Sequence, residues 1–248
     1  MGKQKVGRTA QGSSQPQRVV WPALQPPQRP LQLVEPSPGI LLIDNFLPPA
    51  ARKAFLAFLT AANSPLHLNP PTLPKRGEAE RTNARTSVQD PDFAKRLWED
   101  TGLREACQTL EGRNGRRAAG LNPNIRVYRY GEGDFFGRRF SFSSSFSANS
   151  LTLLYTAHYD DDIRDPASGW TSEWTLLIYL TGKEDGVVGG ETTFYPALTR
   201  KDDGSAVVPE LRAGRALLHR HGQLCSLHEG RPVEKGTKWV LRSDVLFN

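Results

Sequence analysis

His158 and Asp160 stand two apart in His158-Tyr159-Asp160. Side chains at i and i+2 of a strand point to the same face, so the pair could hold one metal ion from a rigid element. The pattern is common by chance, and Asp161, Asp162 and Asp165 nearby also suit a surface turn. His228 lies far downstream in Leu227-His228-Glu229-Gly230-Arg231-Pro232-Val233. Two His and one carboxylate make the facial triad of non-haem iron(II) oxygenases, which leaves open positions on the metal. Taken alone, His228 reads more readily as a satisfied structural histidine. Lys238 follows His228 by ten residues. A buried Lys there could meet an anionic ligand near the metal, with a charge-assisted bond worth about 1.5–3 kcal/mol. A solvated turn beside Gly236 is the plainer reading, and the one that suits Lys235.

The elements that must position these residues come in two groups. Ile40-Leu41-Leu42-Ile43 suits a buried strand. Pro48-Pro49 opens a helix that places Ala51, Phe55, Phe58 and Leu59 on one face. Residues 64–80 read as loop. Asp92 is the expected N-cap of a helix carrying Phe93, Leu97 and Trp98, with a further helix over 103–111 and a basic loop from Gly112 to Gly120. Strand patterns then cover Ile125–Tyr130, Trp174–Leu180, Thr192–Tyr195, Gly214–Leu218, Leu224–His228 and Lys238–Leu246. Helices first and strands later predict an α+β, mainly β layout, with helices packed on an antiparallel barrel or sandwich.

Composition narrows the partners. The 248 residues carry a formal charge of +6. Lys3, Lys5, Arg8, Arg18 and Arg29 fall in a stretch without acids, so the body after residue 34 is near neutral. That distribution weighs against a nucleic-acid partner. Residues 1–38 read as a disordered, basic, Gln/Pro-rich tail, with residues 39–248 as the folded domain. No apolar run approaches a membrane span, the start of the chain has no signal-peptide core, and Val6 spoils a myristoylation motif. Cys107 and Cys225 form no disulfide framework. An intracellular compartment, cytoplasmic or nuclear, is expected.

Beyond these readings, the stretch 125–247 resembles the prolyl 4-hydroxylase-like 2-oxoglutarate/Fe(II)-dependent dioxygenases. The matching motifs are Tyr130-Gly131-Glu132-Gly133, His158-Tyr159-Asp160, Thr175-Leu176-Leu177-Ile178-Tyr179-Leu180, Gly189-Gly190-Glu191-Thr192, and His228-x-Gly-x-Pro-Val-x-x-Gly236-x-Lys238-Trp239. Residues 40–47 look like the family's first strand. The resemblance implies a double-stranded β-helix (jelly roll) core with N-terminal supporting helices. It implies Fe(II) on His158, Asp160 and His228, and 2-oxoglutarate held by Lys238 and the Tyr130 hydroxyl, with Thr175 lining the pocket. O2 as oxidant and ascorbate as reductant follow. So does the reaction: oxidative decarboxylation of 2-oxoglutarate to succinate and CO2, coupled to hydroxylation of an unactivated C–H bond of a protein side chain or small molecule. The carboxylate at Asp160 is what a hydroxylase or demethylase keeps and a halogenase lacks.

Several residues take plainer expectations. His219 and His221 are expected exposed at a strand end, Arg231 and Arg242 on the surface, and Gly189-Gly190 in a tight turn. Trp170, Trp174 and Trp239 suit core or pocket wall, and Cys225 a small core position. Arg81, Asn83 and Arg85 could meet a polar substrate. In one place the chain departs from the family pattern: residues 138–157, rich in Ser, Phe and Leu and free of acids, separate Gly137 from His158. They read as an atypical insert, a retained intron in preference to a lineage-specific loop. Two further functions are weighed: a non-catalytic relative impaired by that insert, and a nucleic-acid demethylase. The latter is disfavoured by the Lys anchor and the neutral body.

Overall fold

A computed structural model describes residues 19–73, 80–137, 158–195 and 206–248. The strand Val34–Ser37 (β1) turns back on Ile40–Ile43 (β2), and the helix Pro49–Thr60 (α1) follows. Two short strands, Glu80–Arg81 (β3) and Ala84–Gln89 (β4), precede the helices Pro91–Glu99 (α2) and Leu103–Cys107 (α3). Then come Ala118–Leu121 (β5), Asn124–Tyr130 (β6), Phe136–Gly137 (β7) and Thr171–Tyr179 (β8). The last six strands are Val188–Gly189 (β9), Thr192–Tyr195 (β10), Ala216–Arg220 (β11), Leu227–Gly230 (β12), Val233–Lys235 (β13) and Lys238–Phe247 (β14).

A large antiparallel sheet runs in the order β1-β2-β11-β8-β14-β6-β4, with β5 joined to the far end of β14. A smaller sheet runs β10-β12-β7-β3, and β13 pairs with β9. The alternation of side chains along each strand gives the large sheet two buried faces. Leu41, Ile43, Val127, Leu176, Ile178, Leu218 and Leu241 pack with Phe55, Phe93 and Leu97 of the helices. Ile40, Leu42, Tyr128, Tyr130, Tyr179, Leu217 and Val240 turn the other way, toward Phe194 of β10 and Val233 of β13. This is the mainly β, double-stranded β-helix arrangement with helices on one face. The helix-side core explains why the strands read as continuous apolar runs.

Four local expectations change. Residues 19–38 are not a loose tail. Trp21 is 5% exposed, stacks on Phe93 at 4.3 Å between ring centroids, and donates its indole N–H to Asp90 at 2.8 Å. One large aromatic with both an apolar partner and a hydrogen-bond acceptor suffices to tie the segment down. The N-cap of α2 is Asp90, not Asp92: its carboxylate accepts from the Phe93 N–H at 2.9 Å, with Pro91 in the first turn. The helix expected over 103–111 stops at Cys107, and the loop expected to Gly120 already contains β5. The insert at residues 138–157 lies outside the described residues, as does the part of the tail before residue 19. Among the described residues no helix is long and apolar enough to cross a membrane.

Candidate metal and co-substrate site

The inner face of the large sheet and the facing strand β12 supply the site. His158 forms an isolated bridge with His228. Thr175 stands on β8, His219 on β11, Tyr130 on β6, and Lys238 and Arg242 on β14. His158, Asp160 and His228 each offer one ligand atom, all within 4.8 Å of one another. The Nε2 atoms of His158 and His228 both stand 3.8 Å from the Asp160 carboxylate. Neither ring nitrogen of His158 has a hydrogen-bond partner among the described residues, although both are buried. His228 Nδ1 lies 2.9 Å from the Ser226 carbonyl, a contact only a protonated Nδ1 can make, so Nε2 carries the free lone pair. Two imidazoles and a carboxylate whose ligand atoms converge fit a divalent metal ion.

Electrostatics favour the same protonation states. Burial, then the neighbouring His228, pushes His158 down to about 3, and burial lowers His228 as well. Both are therefore neutral near pH 7, as ligands must be. Burial alone would raise Asp160, but Arg242 and the surrounding histidines outweigh it and hold the carboxyl well below its usual range. Arg242 donates to both Asp160 oxygens, at 3.3 and 3.0 Å. Thr175 Oγ1 donates to Asp160 Oδ2 at 3.0 Å and sits 3.0 Å from His221 Nδ1; His221 Nε2 in turn lies 3.0 Å from Ser172 Oγ. Asp160 is thus held by a buried network reaching two strands.

Lys238 is 3% exposed. Its Nζ donates to the Gly190 carbonyl at 2.6 Å and lies 4.9 Å from the Tyr130 ring centre. Among the described residues no carboxylate forms an ion pair with it. Burial lowers its pKa to about 8. The turn that meets it depends on Gly189 and Gly190, both at positive φ. A Cβ on Gly190 would lie 2.9 Å from Val233 Cγ2 and 3.3 Å from Lys238 Cδ. The tight turn expected here also brings its backbone against the lysine.

One cavity touches Asp160, His228, Lys238, Tyr130 and Thr175, and Arg81 and Asn83 line it too. Arg81 stacks over Phe136 at 4.5 Å, and Phe136 lies 4.1 Å from the His158 ring. Arg85 does not line this cavity. The expected exposure of His219, His221 and Arg242 fails here. His219 and His221 are 2% and 3% exposed, not on the surface. Arg242 is partly buried, with its guanidinium turned inward onto Asp160 and not out to solvent. Cys225 is buried as expected, but beside the site: its Sγ accepts from the Asp160 N–H at 3.4 Å. Strand parity was the available signal: Arg242 shares a face with Lys238, and His219 with Leu217. Trp174 and Trp239 are buried, Trp170 partly so, and Arg231 is exposed.

No family model and no curated protein sequence matches the chain. Solved structures do. A prolyl hydroxylase from Trichoplax adhaerens, in complex with a hypoxia inducible factor oxygen degradation domain peptide fragment, aligns over 84% of this chain and 83% of its own, at 16% identity and a TM-score of 0.54. The chain has the prolyl hydroxylase fold. A Pseudomonas putida prolyl-4-hydroxylase aligns over 85% of this chain and 93% of its own, at 15% identity and a TM-score of 0.50. In both cases most of the prolyl hydroxylase fold is covered, so the likeness belongs to the whole domain and not to one sheet. It concerns architecture; the chemistry has to be argued from the side chains.

Proposed function

We propose that the chain is a 2-oxoglutarate- and Fe(II)-dependent dioxygenase that hydroxylates an unactivated C–H bond of a protein side chain or small molecule, releasing succinate and CO2. The observation that carries the reading is the convergence of the His158, Asp160 and His228 donors beside a cavity shared by Asp160, His228 and a buried lysine that has no carboxylate partner among the described residues. His158 and His228 would hold the metal as neutral imidazoles and Asp160 as its carboxylate. Bound Fe(II) would supply the activation of O2, with ascorbate keeping it reduced.

The chain's own residues set the stage. Arg242 and the Thr175 hydroxyl fix the Asp160 carboxylate before any ligand arrives, which keeps the donor set in register. Lys238, drawn between the Gly190 carbonyl and the Tyr130 ring, offers its charge to the distal carboxylate of 2-oxoglutarate in a water-poor setting, where such a contact is strong. Tyr130 closes the same end of the cavity. Burial pushes its phenol far up, so it stays protonated and can donate. Arg81 and Asn83, which line the same cavity, would meet a polar substrate.

The test is an anaerobic titration of the purified protein with Fe(II) and then 2-oxoglutarate, followed by visible absorption. A weak charge-transfer band is expected, reduced by His228→Ala and by Lys238→Met, with succinate formed once O2 is admitted. A full chain that is folded but gives neither band nor succinate would overturn the reading.

A further inference from the structure

His228 has two nitrogens, and they face different chemistry. Nε2 lies 3.8 Å from Asp160 Oδ2. Nδ1 lies 3.8 Å from Cys225 Sγ. His219, Cys225 and His228, all buried, present one donor atom each within 4.8 Å of one another. In tetrahedral zinc sites, with Zn–S about 2.3 Å and Zn–N about 2.0–2.1 Å, a ligand sulfur and nitrogen stand roughly 3.6 Å apart. The Cys225–His228 pair is already close to that. The Asp160 N–H points at Cys225 Sγ and eases loss of the thiol proton, but burial outweighs it and pushes the thiol up to about 12, so it is the bond to the metal that displaces that proton. His219 Nδ1 lies 3.1 Å from the Arg220 carbonyl, which leaves its Nε2 as the free donor.

We propose that His219, Cys225 and His228 form a second metal-binding set, selective for a thiophilic divalent ion such as Zn(II), and that its occupancy shuts Fe(II) out of the first. The sulfur set stands on its own geometry; only the exclusion of iron rests on the dioxygenase reading. Thiolate and imidazole favour zinc-like ions, whereas the carboxylate of the first set suits a harder ion. Exclusion follows from the proton count on His228. A neutral imidazole carries one proton on two nitrogens. With that proton on Nδ1, bonded to the Ser226 carbonyl, Nε2 is free for iron. A metal on Nδ1 sends the proton to Nε2, and iron loses a ligand. On binding, the Cys225 S–H bond breaks, its proton leaves to solvent and a sulfur–metal bond forms; nothing is oxidised or reduced.

The experiment uses the full chain, stripped of metal and kept anaerobic, titrated with Co(II) alone. A near-ultraviolet thiolate-to-cobalt band is expected in the wild type. It should disappear in Cys225→Ser and weaken in His219→Ala, yet persist in His158→Ala. Absence of the band, or its survival in Cys225→Ser, sinks the proposal. In a second arm, one equivalent of Zn(II) is added before Fe(II) and 2-oxoglutarate. Loss of the Fe(II)–2-oxoglutarate band is expected in the wild type and its retention in Cys225→Ser, which also shows that variant to be folded. Equal loss in both means that zinc enters the iron set, and the exclusion claim fails. Should that band form in no variant even without zinc, the dioxygenase reading falls while the cobalt arm still decides the sulfur set.

Discussion

Lys238 is buried, and the proposed anchor role makes its charge directly testable. Exchanged for Met, it loses a charge-assisted contact of about 1.5–3 kcal/mol, so 2-oxoglutarate should bind about ten- to a hundredfold more weakly, measured by titration of the Fe(II) protein. The sign of the pH effect follows from its lowered pKa. The free protein holds Lys238 protonated below about pH 8 and loses that proton above it. Only the protonated form attracts a carboxylate, so 2-oxoglutarate affinity should fall as pH rises through about 8; an unchanged affinity to pH 10 would remove Lys238 from the anchor role. At this scale the sequence was partly legible. His158, Asp160, His228 and Lys238, each a weak signal alone, stood out because they fall in the order of the dioxygenase motifs the chain resembles. His219, His221 and Arg242 did not, because a polar residue near a strand end is normally solvated. What buries them is the approach of strands from distant parts of the chain, which no local pattern records.

Among the elements, the turn carrying Gly189 and Gly190 and the strap carrying Trp21 are the exposed points of the design. A side chain on Gly190 meets Val233 and Lys238 at a positive φ that costs a non-glycine residue about 1–2 kcal/mol. Gly190→Ala should therefore weaken 2-oxoglutarate binding while leaving the domain folded. Gly189→Ala should be harsher, since its Cβ would lie 2.5 Å from the Pro232 carbonyl oxygen and backbone cannot step aside cheaply. Trp21→Ala removes a buried ring from the helix-side core and should cost about 3–5 kcal/mol of stability by urea unfolding; a loss under 1 kcal/mol would mean that the strap is only laid on the surface. The strand Ile40–Ile43 was readable because an apolar run bounded by Gly and Asp has few alternatives, and Thr192–Tyr195 because β-branched and aromatic residues favour a strand. The strap was not, because a Pro- and Gln-rich stretch gives no periodic signal, and a single tryptophan decides its fate.

Taken whole, the molecule joins its ligand set to the seam between two sheets. A metal and co-substrate at about a hundredfold above their dissociation constant should add about 2.7 kcal/mol, or roughly 5–10 °C in melting temperature for a chain of this size. Chelation should reverse it, and a melting point indifferent to both would argue that the cavity binds neither. The two-sheet class was legible from the order of helices and strands; the sheet's pairing order was not. In that order β2 lies against β11, and β14 is slotted between β6 and β8. Hardly a neighbour in the sheet is a neighbour in sequence. Each such pairing closes a long loop before any contact rewards it, so refolding from denaturant should be slow, on the order of a second or longer. Apolar strands would meanwhile stand open to other copies of the chain. The histidines cannot hurry this along, because they meet only once the late strands are home; added metal should stabilise the finished protein without quickening its formation.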